Sequence, residues 1–295
     1  MYHGPRETII WLQNLLLKRG YLLSLFSQQE QGWDPGLEAL FLRRVLQERH
    51  FALLASCTPK EPANARLLAE LADANVRVIH VEPYSGHALP AESFIMPDYK
   101  RAGYAAVATL LLRGYDPIFY VGDRKSAAPF HILQERGFLE AQRELLGGDG
   151  ERLLFNGKNR EQANFIGYQS LSGPSGQKMA RALKKCRPGF FCAYQELAVK
   201  LIDILRCEKI AVPEKAGVLA PELIGEQLST DILAQVRFPR QHILARAVEH
   251  ALADNFTGIR ELVPPFRIAG NTLSALDSGK IILPPASLEA LSARR

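Results

Sequence analysis

Apolar residues follow two alternating patterns through the first half of the chain. In some stretches they recur every three or four residues, which predicts amphipathic helices, and between these lie short continuous apolar runs, which predict buried strands. The predicted helices span residues 6–19, 37–46 and 62–74. The predicted strands span residues 21–26, 51–55 and 76–81. This strand–helix alternation indicates a parallel sheet with helices on both faces.

The second half of the chain repeats the alternation. Asp98 begins a helix whose apolar positions lie mostly on one face, and Gly114 ends that helix. Further strands are predicted at 117–121, 151–155, 188–193, 216–220 and 265–272. Further helices are predicted at 126–146, 159–170, 175–185, 195–206 and 241–253. The pattern therefore predicts a second sheet of the same α/β kind.

The stretch from Asp98 to Ala141 resembles part of a known family. Its order is Asp, helix, Leu-x-x-Gly-Tyr, strand, Gly-Asp, helix and Gly-Phe, which resembles the effector-binding domain of LacI/GalR-type transcriptional regulators. The segments 212–220 and 236–239 resemble further parts of that domain. The resemblance implies a two-lobed α/β fold of the periplasmic-binding-protein type (type I), with parallel sheets flanked by helices. It also implies a small ligand in the cleft between the lobes.

The resemblance further divides the chain into two lobes that are discontinuous in sequence. The expected N-terminal lobe comprises residues 1–115 and 240–258. The expected C-terminal lobe comprises residues 116–239 and 259–295. In the family a hydrophobic strand and a DNA-binding module precede the first helix, and Met1 falls in the loop after that strand. We therefore expect an unpaired sheet edge beside the strand at 21–26, and DNA contact only through a module absent from this chain.

Composition adds several limits to this description. A chain of 295 residues, 47% of them hydrophobic, exceeds what one core usually organises, which agrees with two lobes. The net charge of +5 is a mild excess that permits contact with an anion or nucleic acid but does not argue for it. Four cysteines without metal or redox spacing indicate free thiols in a reducing cytoplasm. No secretion signal and no run long enough to span a bilayer are present, so no membrane association is expected.

Candidate ligand contacts follow from the rule that open α/β sheets bind ligands at the carboxyl ends of their strands. Asp98 follows the apolar segment 94–97, and its carboxylate either accepts hydrogen bonds from sugar hydroxyls or caps the helix. Gln134 stands where the resemblance expects a ligand-gripping arginine, and it either bonds a hydroxyl or faces water. Because glutamine lacks the guanidinium fork, we expect a neutral rather than an anionic ligand.

Further candidates come from the same resemblance. Tyr194 and Gln195 replace an Asn-Asp pair of the family, and Tyr194 either stacks on the apolar face of a sugar or packs between strand and helix. Glu222 stands where the family often has an acid. Tyr84 and His3 lie in loops that either approach the cleft or are solvated.

Patterns of catalysis are missing from the sequence. It contains no nucleophile elbow, dinucleotide fingerprint, phosphate loop or His-x-x-x-His pair, so we predict no enzyme activity, no cofactor and no metal site. The resemblance implies the ligand-sensing domain of a cytoplasmic, homodimeric regulator that binds a small neutral sugar or polyol to modulate DNA binding. The alternative is the solute-binding protein of a sugar transporter, and a third is an enzyme on the same kind of sheet.

Overall fold

The computed structural model describes residues 6–26, 34–55, 62–82, 93–122, 129–146, 165–171, 173–222 and 233–274. Its helices are α1 (Arg6–Leu17), α2 (Pro35–Gln47), α3 (Pro62–Asp73), α4 (Tyr99–Leu112), α5 (Pro129–Leu145), α6 (Gly173–Ala182), α7 (Gln195–Cys207) and α8 (Arg240–Leu252). Its strands are β1 (Ala52–Ala55), β2 (Arg77–His80), β3 (Ser93–Pro97), β4 (Ile118–Gly122), β5 (Phe165–Gly167), β6 (Gly189–Cys192), β7 (Gly217–Pro221), β8 (Ala234–Arg237), β9 (Arg260–Val263) and β10 (Arg267–Ala269). None of the described helices is long and apolar enough to cross a bilayer.

The first sheet is parallel and has the strand order β1-β2-β3-β9. Helices α2 and α3 build an apolar cluster with Val78 on one side of the sheet, and α8 builds another with Ile79 on the opposite side. Successive side chains of a strand point to opposite faces, so β2 is buried on both. This double burial explains why two successive residues of β2, Val78 and Ile79, are both apolar instead of alternating with polar residues.

The second sheet has six strands in the order β10-β8-β7-β6-β4-β5, parallel except for β10, which runs antiparallel to β8. Aromatic residues of neighbouring strands fill its core, with the rings of Phe119 and Phe190 stacked at a centroid distance of 5.7 Å. Helices α4 and α5 lie so close together that a Cβ at Gly103 would overlap the carbonyl oxygen of Gln134. The two-sheet α/β architecture predicted from the sequence is confirmed.

Helix α4 belongs to the second lobe, which corrects the predicted boundary after residue 115. Its buried residues, Ala106 and Leu110 among them, join the apolar cluster of the second sheet, and the helix packs on β4, β6 and β7. Strand β9 pairs with β3 in the first sheet. The prediction that Arg260–Val263 belongs to the C-terminal lobe is therefore wrong. Helical periodicity reveals that one face of a segment is apolar but not which sheet that face covers.

The chain therefore passes between the lobes at three described places, which we call crossings. The first is Asp98, between β3 of the first sheet and α4 of the second lobe. The second is Phe238–Pro239, between β8 and α8, and the third lies within residues 264–266, between β9 and β10. Each sheet thus draws its strands from two separate parts of the chain.

Two local predictions are wrong. Residues 21–26 form no strand, since an apolar run becomes a strand only where a neighbouring strand supplies hydrogen bonds. The helix predicted at 159–170 is contradicted by strand β5 and by a 3₁₀ turn at Tyr168–Leu171. The strand predicted at 151–155 lies outside the described residues.

A groove with a cavity volume of about 180 Å³ runs between the segment 21–26 and strand β1. Within the described residues β1 pairs only with β2, so its other edge faces this groove. The lining is mostly apolar and includes every residue of both segments. The unpaired edge expected from the sequence is therefore found at β1.

Candidate ligand site at the crossings

Most predicted site residues lie where parallel strands end. Asp98 follows β3, Tyr194 and Gln195 follow β6, and Glu222 follows β7. Gln134 lies in the first half of α5, the helix after β4. Carboxyl ends of parallel strands meet at one edge of a sheet, and the crossings bring those edges of the two sheets together. Tyr84 and His3 lie outside the described residues.

Asp98 occupies the first crossing and caps α4. Its backbone N–H donates to the carbonyl oxygen of Val263 at 2.8 Å, which joins the first crossing to the end of β9. Its Oδ1 accepts a hydrogen bond from the N–H of Arg101 at 2.9 Å. Burial raises the pKa of this carboxyl, while the bond from Arg101 opposes the shift. The helix-capping role is therefore observed, and the ligand-binding role stays a prediction.

Two buried glutamine side chains lack hydrogen-bond partners among the described residues. Gln134 and Gln195 are both fully buried, and neither the oxygen nor the nitrogen of either amide is bonded there. The water-facing alternative for Gln134 is therefore wrong. A buried polar group without a partner costs about 1–3 kcal/mol. Such groups in a folded protein call for an explanation, and a bound polar molecule is one.

A row of aromatic rings joins the starts of α7, α5 and α4. Tyr194 stacks on His131 with the ring centroids 5.4 Å apart and the planes 26° from parallel. His131 contacts Phe130 edge-on at 4.2 Å, and Phe130 lies 5.8 Å from Tyr99. The hydroxyl of Tyr120 donates to the carbonyl oxygen of His131 at 3.2 Å. Phe130 and His131 were missed in the sequence, because helix periodicity does not reveal which residues face a neighbouring strand end.

Glu222 is buried and already neutralised. Its Oε1 accepts hydrogen bonds from Nε and Nη2 of Arg237 at 3.1 and 2.9 Å. Its backbone carbonyl oxygen accepts a further bond from Nη2 of Arg240 at 3.0 Å. A ligand hydroxyl could still reach the second carboxylate oxygen, but a ligand cation would compete with Arg237.

Glu82 forms a second buried ion pair at the same edge. It follows β2 in the first sheet, pairs with Nη1 of Arg240 and accepts a bond from the hydroxyl of Tyr99 at 2.9 Å. Burial raises the pKa of the Glu82 carboxyl, and the charge of Arg240 opposes the shift. These partners were also missed in the sequence, although Tyr99 and Arg240 directly follow Asp98 and Pro239 at two crossings.

Two helix-covered sheets, joined by crossings and carrying polar side chains where they meet, define a two-lobed α/β binding domain. The sequence profile of the periplasmic binding protein-like domain family matches residues 107–258, just over half of the chain. The chain therefore belongs to the periplasmic binding protein-like domain family.

Solved structures with the same fold are regulators with low sequence identity to this chain. A LacI family transcriptional regulator from Silicibacter pomeroyi superposes with a TM-score of 0.63 at 20% identity, covering 91% of this chain and 93% of its own. A LacI family regulator from Enterococcus faecium with bound ribose gives 0.63 at 15% identity, covering 92% and 94%. One from Lactobacillus casei with bound sucrose gives 0.59 at 19% identity, covering 89% and 93%. Comparison with curated proteins finds no match.

Proposed function

We propose that this chain is the effector-sensing domain of a LacI/GalR-type transcriptional regulator, and that it binds a small neutral sugar or polyol between its lobes. The observation that carries the proposal is the pair of buried amides without partners, Gln134 and Gln195. Each amide offers both donors and an acceptor, which matches the mixed donor and acceptor character of sugar hydroxyls. The bound ribose and sucrose of two structural neighbours support a ligand of this class.

The charges at the crossings favour a neutral ligand. Arg237 and Arg240 lie beside Glu222 and Glu82, which already engage them. Gln134 supplies an uncharged amide where the family resemblance expects an arginine. A sugar phosphate or sugar acid would have to break a buried ion pair to bond Arg240, and breaking such a pair is costly.

Small sugars would act by changing the balance between arrangements of the two lobes. A ligand that contacts both lobes binds a closed arrangement better and therefore increases its population. In a cytoplasmic homodimer, a changed lobe angle alters the geometry of the dimer and with it the affinity for DNA. We assign DNA contact itself to a separate module of the complete regulator. The domain performs no catalysis in this proposal.

Calorimetric titration tests the ligand class. The purified chain is titrated with neutral pentoses, hexoses, disaccharides and polyols, and in parallel with the phosphates and acids of the same sugars. We expect at least one neutral compound to bind more tightly than its own phosphate or acid. Tight binding of only the anionic compounds would contradict the proposal, as would no binding by any compound.

A further inference from the structure

We propose that Glu82, Tyr99 and Arg240 form an interlobe latch, a set of positioning residues that hold the two lobes at the angle at which the site between them meets its ligand. The latch is a property of the lobes alone, and only its effect on ligand affinity rests on the proposed function.

Tyr99 supplies the first bond between the lobes. Its ring is buried in the second lobe, with centroids 5.8 Å from Phe130 and 5.1 Å from Phe238. Its hydroxyl donates to Oε2 of Glu82 at 2.9 Å, and Glu82 follows β2 of the first sheet. The bond therefore spans the lobe boundary one residue beyond the crossing at Asp98.

Arg240 supplies the second bond. It is the first residue of α8, which packs on β2 and β3 of the first sheet. One arm of its guanidinium pairs with Glu82 in its own lobe, and Nη2 of the other arm donates to the carbonyl oxygen of Glu222 in the second lobe at 3.0 Å. Its side chain is only 12% exposed and that of Glu82 only 7%. One planar group thus holds a carboxylate of one lobe and a backbone carbonyl of the other.

The two bonds of the latch limit how far the lobes can rotate apart while the latch stays closed. Hydrogen bonds weaken steeply once the donor and acceptor move beyond about 3.5 Å or lose alignment. Both bonds join the same two lobes, so a lobe opening large enough to separate Tyr99 from Glu82 would also separate Arg240 from Glu222. The latch is therefore either closed or broken, which gives two discrete lobe arrangements rather than a continuum.

The latch also contacts a residue of the candidate ligand site, although none of its three side chains is itself a candidate ligand contact. Arg240 holds the main chain of Glu222, whose carboxylate Arg237 holds separately. Breaking the latch would release the main chain of Glu222 from Arg240, and the second lobe with its candidate contacts could then turn away from the first lobe. The fraction of molecules in the binding-competent arrangement would fall, and the apparent affinity would fall by the same factor.

The test compares two tyrosines of α4. Tyr99→Phe removes the hydroxyl that reaches across the boundary and keeps the ring. Tyr104→Phe is the matched control, since the hydroxyl of Tyr104 donates to Oε2 of Glu144 at 3.0 Å between α4 and α5, within the second lobe. Arg240→Lys is a further variant that retains the charge beside Glu82 but cannot make both bonds with a fork.

Lobe separation is measured by electron–electron double resonance between nitroxides at exposed Gln47 of α2 and Lys178 of α6, in the full chain with Cys57, Cys186 and Cys207 changed to serine. We expect Tyr99→Phe and Arg240→Lys to add a longer distance to the distribution, and Tyr104→Phe to match the parent. An unchanged distribution in both latch variants, or the same change in the control, would overturn the proposal. If the latch variants do not fold, Glu82→Gln is read in the same way, because its amide has one acceptor oxygen where the carboxylate has two.

Ligand affinity separates the latch from the proposed function. For a neutral sugar that binds the parent chain, we expect Tyr99→Phe to weaken binding by about fivefold or more, and Tyr104→Phe to leave it within about twofold. A longer distance without any sugar binding in the parent would support the latch and contradict the proposed function. A longer distance with unchanged sugar affinity would overturn the positioning role.

Discussion

Gly137 of α5 lies directly against the carbonyl oxygen of Lys100 in α4, so that a Cβ at position 137 would overlap that oxygen. Gly103 makes the reciprocal approach to the carbonyl oxygen of Gln134. The two helices therefore touch through their backbones. This contact determines how far Gln134 on one helix lies from Asp98 at the start of the other, and so relates two candidate ligand contacts.

The close helix contact leads to a prediction about Gly137. Gly137→Ala should lower the free energy of unfolding by about 1–3 kcal/mol or more, because backbone atoms on α4 cannot move aside as a flexible side chain would. Gly258→Ala is the control, since a Cβ there meets nothing within 4 Å. Urea unfolding measures both. Equal stability of the two variants would show that the helices can separate without cost.

Gln134→Met should weaken ligand binding without lowering stability. The substitution keeps the length of the side chain and removes a buried amide that has no partner among the described residues, so the melting temperature should stay level or rise. The control is Gln142→Met on the same helix, whose Nε2 donates to the carbonyl oxygen of Ile118 at 3.1 Å. That variant should melt lower and bind normally. If Gln134→Met instead melts at a lower temperature and binds the ligand normally in calorimetry, Gln134 has a structural role.

Substitutions of Asp98 separate helix capping from ligand binding. Asp98→Ala should lose about 1 kcal/mol of stability with the cap, and should bind a neutral sugar about tenfold more weakly or worse. Asp98→Asn retains a capping side chain, so its melting curve should stay close to the parent. Its sugar affinity should nevertheless fall, since the amide is a weaker acceptor than a carboxylate. Normal sugar binding by Asp98→Asn would exclude the carboxylate as a ligand contact.

Asp98 also predicts a pH dependence of stability. Burial raises the pKa of its carboxyl above the ordinary value of 3.8. At a pH between 3.8 and this raised pKa, the folded protein therefore binds more protons than the unfolded chain. The contribution of Asp98 to the free energy of unfolding is therefore fully present below pH 3.8, and it is lost as the pH rises through the pKa of the folded state. The free energy of unfolding of the parent minus that of Asp98→Asn should fall across this window. A difference that is constant or rises with pH would contradict the assignment.

The edge of β1 that pairs with none of the described strands predicts self-association. The groove beside it exposes apolar side chains, with Leu22 88% exposed, and an unpaired edge invites pairing with another chain. Leu22→Lys should reduce light scattering of concentrated protein without changing its melting temperature. Leu112→Lys places the same charge on an exposed leucine of the second lobe and should leave the scattering unchanged. Equal scattering by both variants would show that the edge does not drive association.

Local sequence determined most of the individual elements. The helix of α4 and the strand of β4 were both predicted, because Asp98 supplies a cap, Gly114 a stop, and the run after it is apolar. The charged strand β9 was missed, since it lies at the sheet edge and only Val263 is buried. The run at 21–26 was misassigned for the opposite reason, because its residues suit a strand but none of the described strands pairs with it.

The candidate site also combines features that the sequence could predict with features that it could not. The placement of Gln195 and Glu222 at one edge could be predicted because both follow parallel strands of the same sheet, whereas Asp98 follows a strand of the other sheet. The burial of Gln134 depends on how closely α4 and α5 approach, and the pairing of Arg240 with Glu82 joins residues 158 positions apart. The sequence by itself determined which segments are helices and strands and which polar residues end them, since these depend on neighbours in the chain. Only the tertiary structure decided which sheet each helix covers and which charges neutralise one another, because both depend on residues that are distant in sequence.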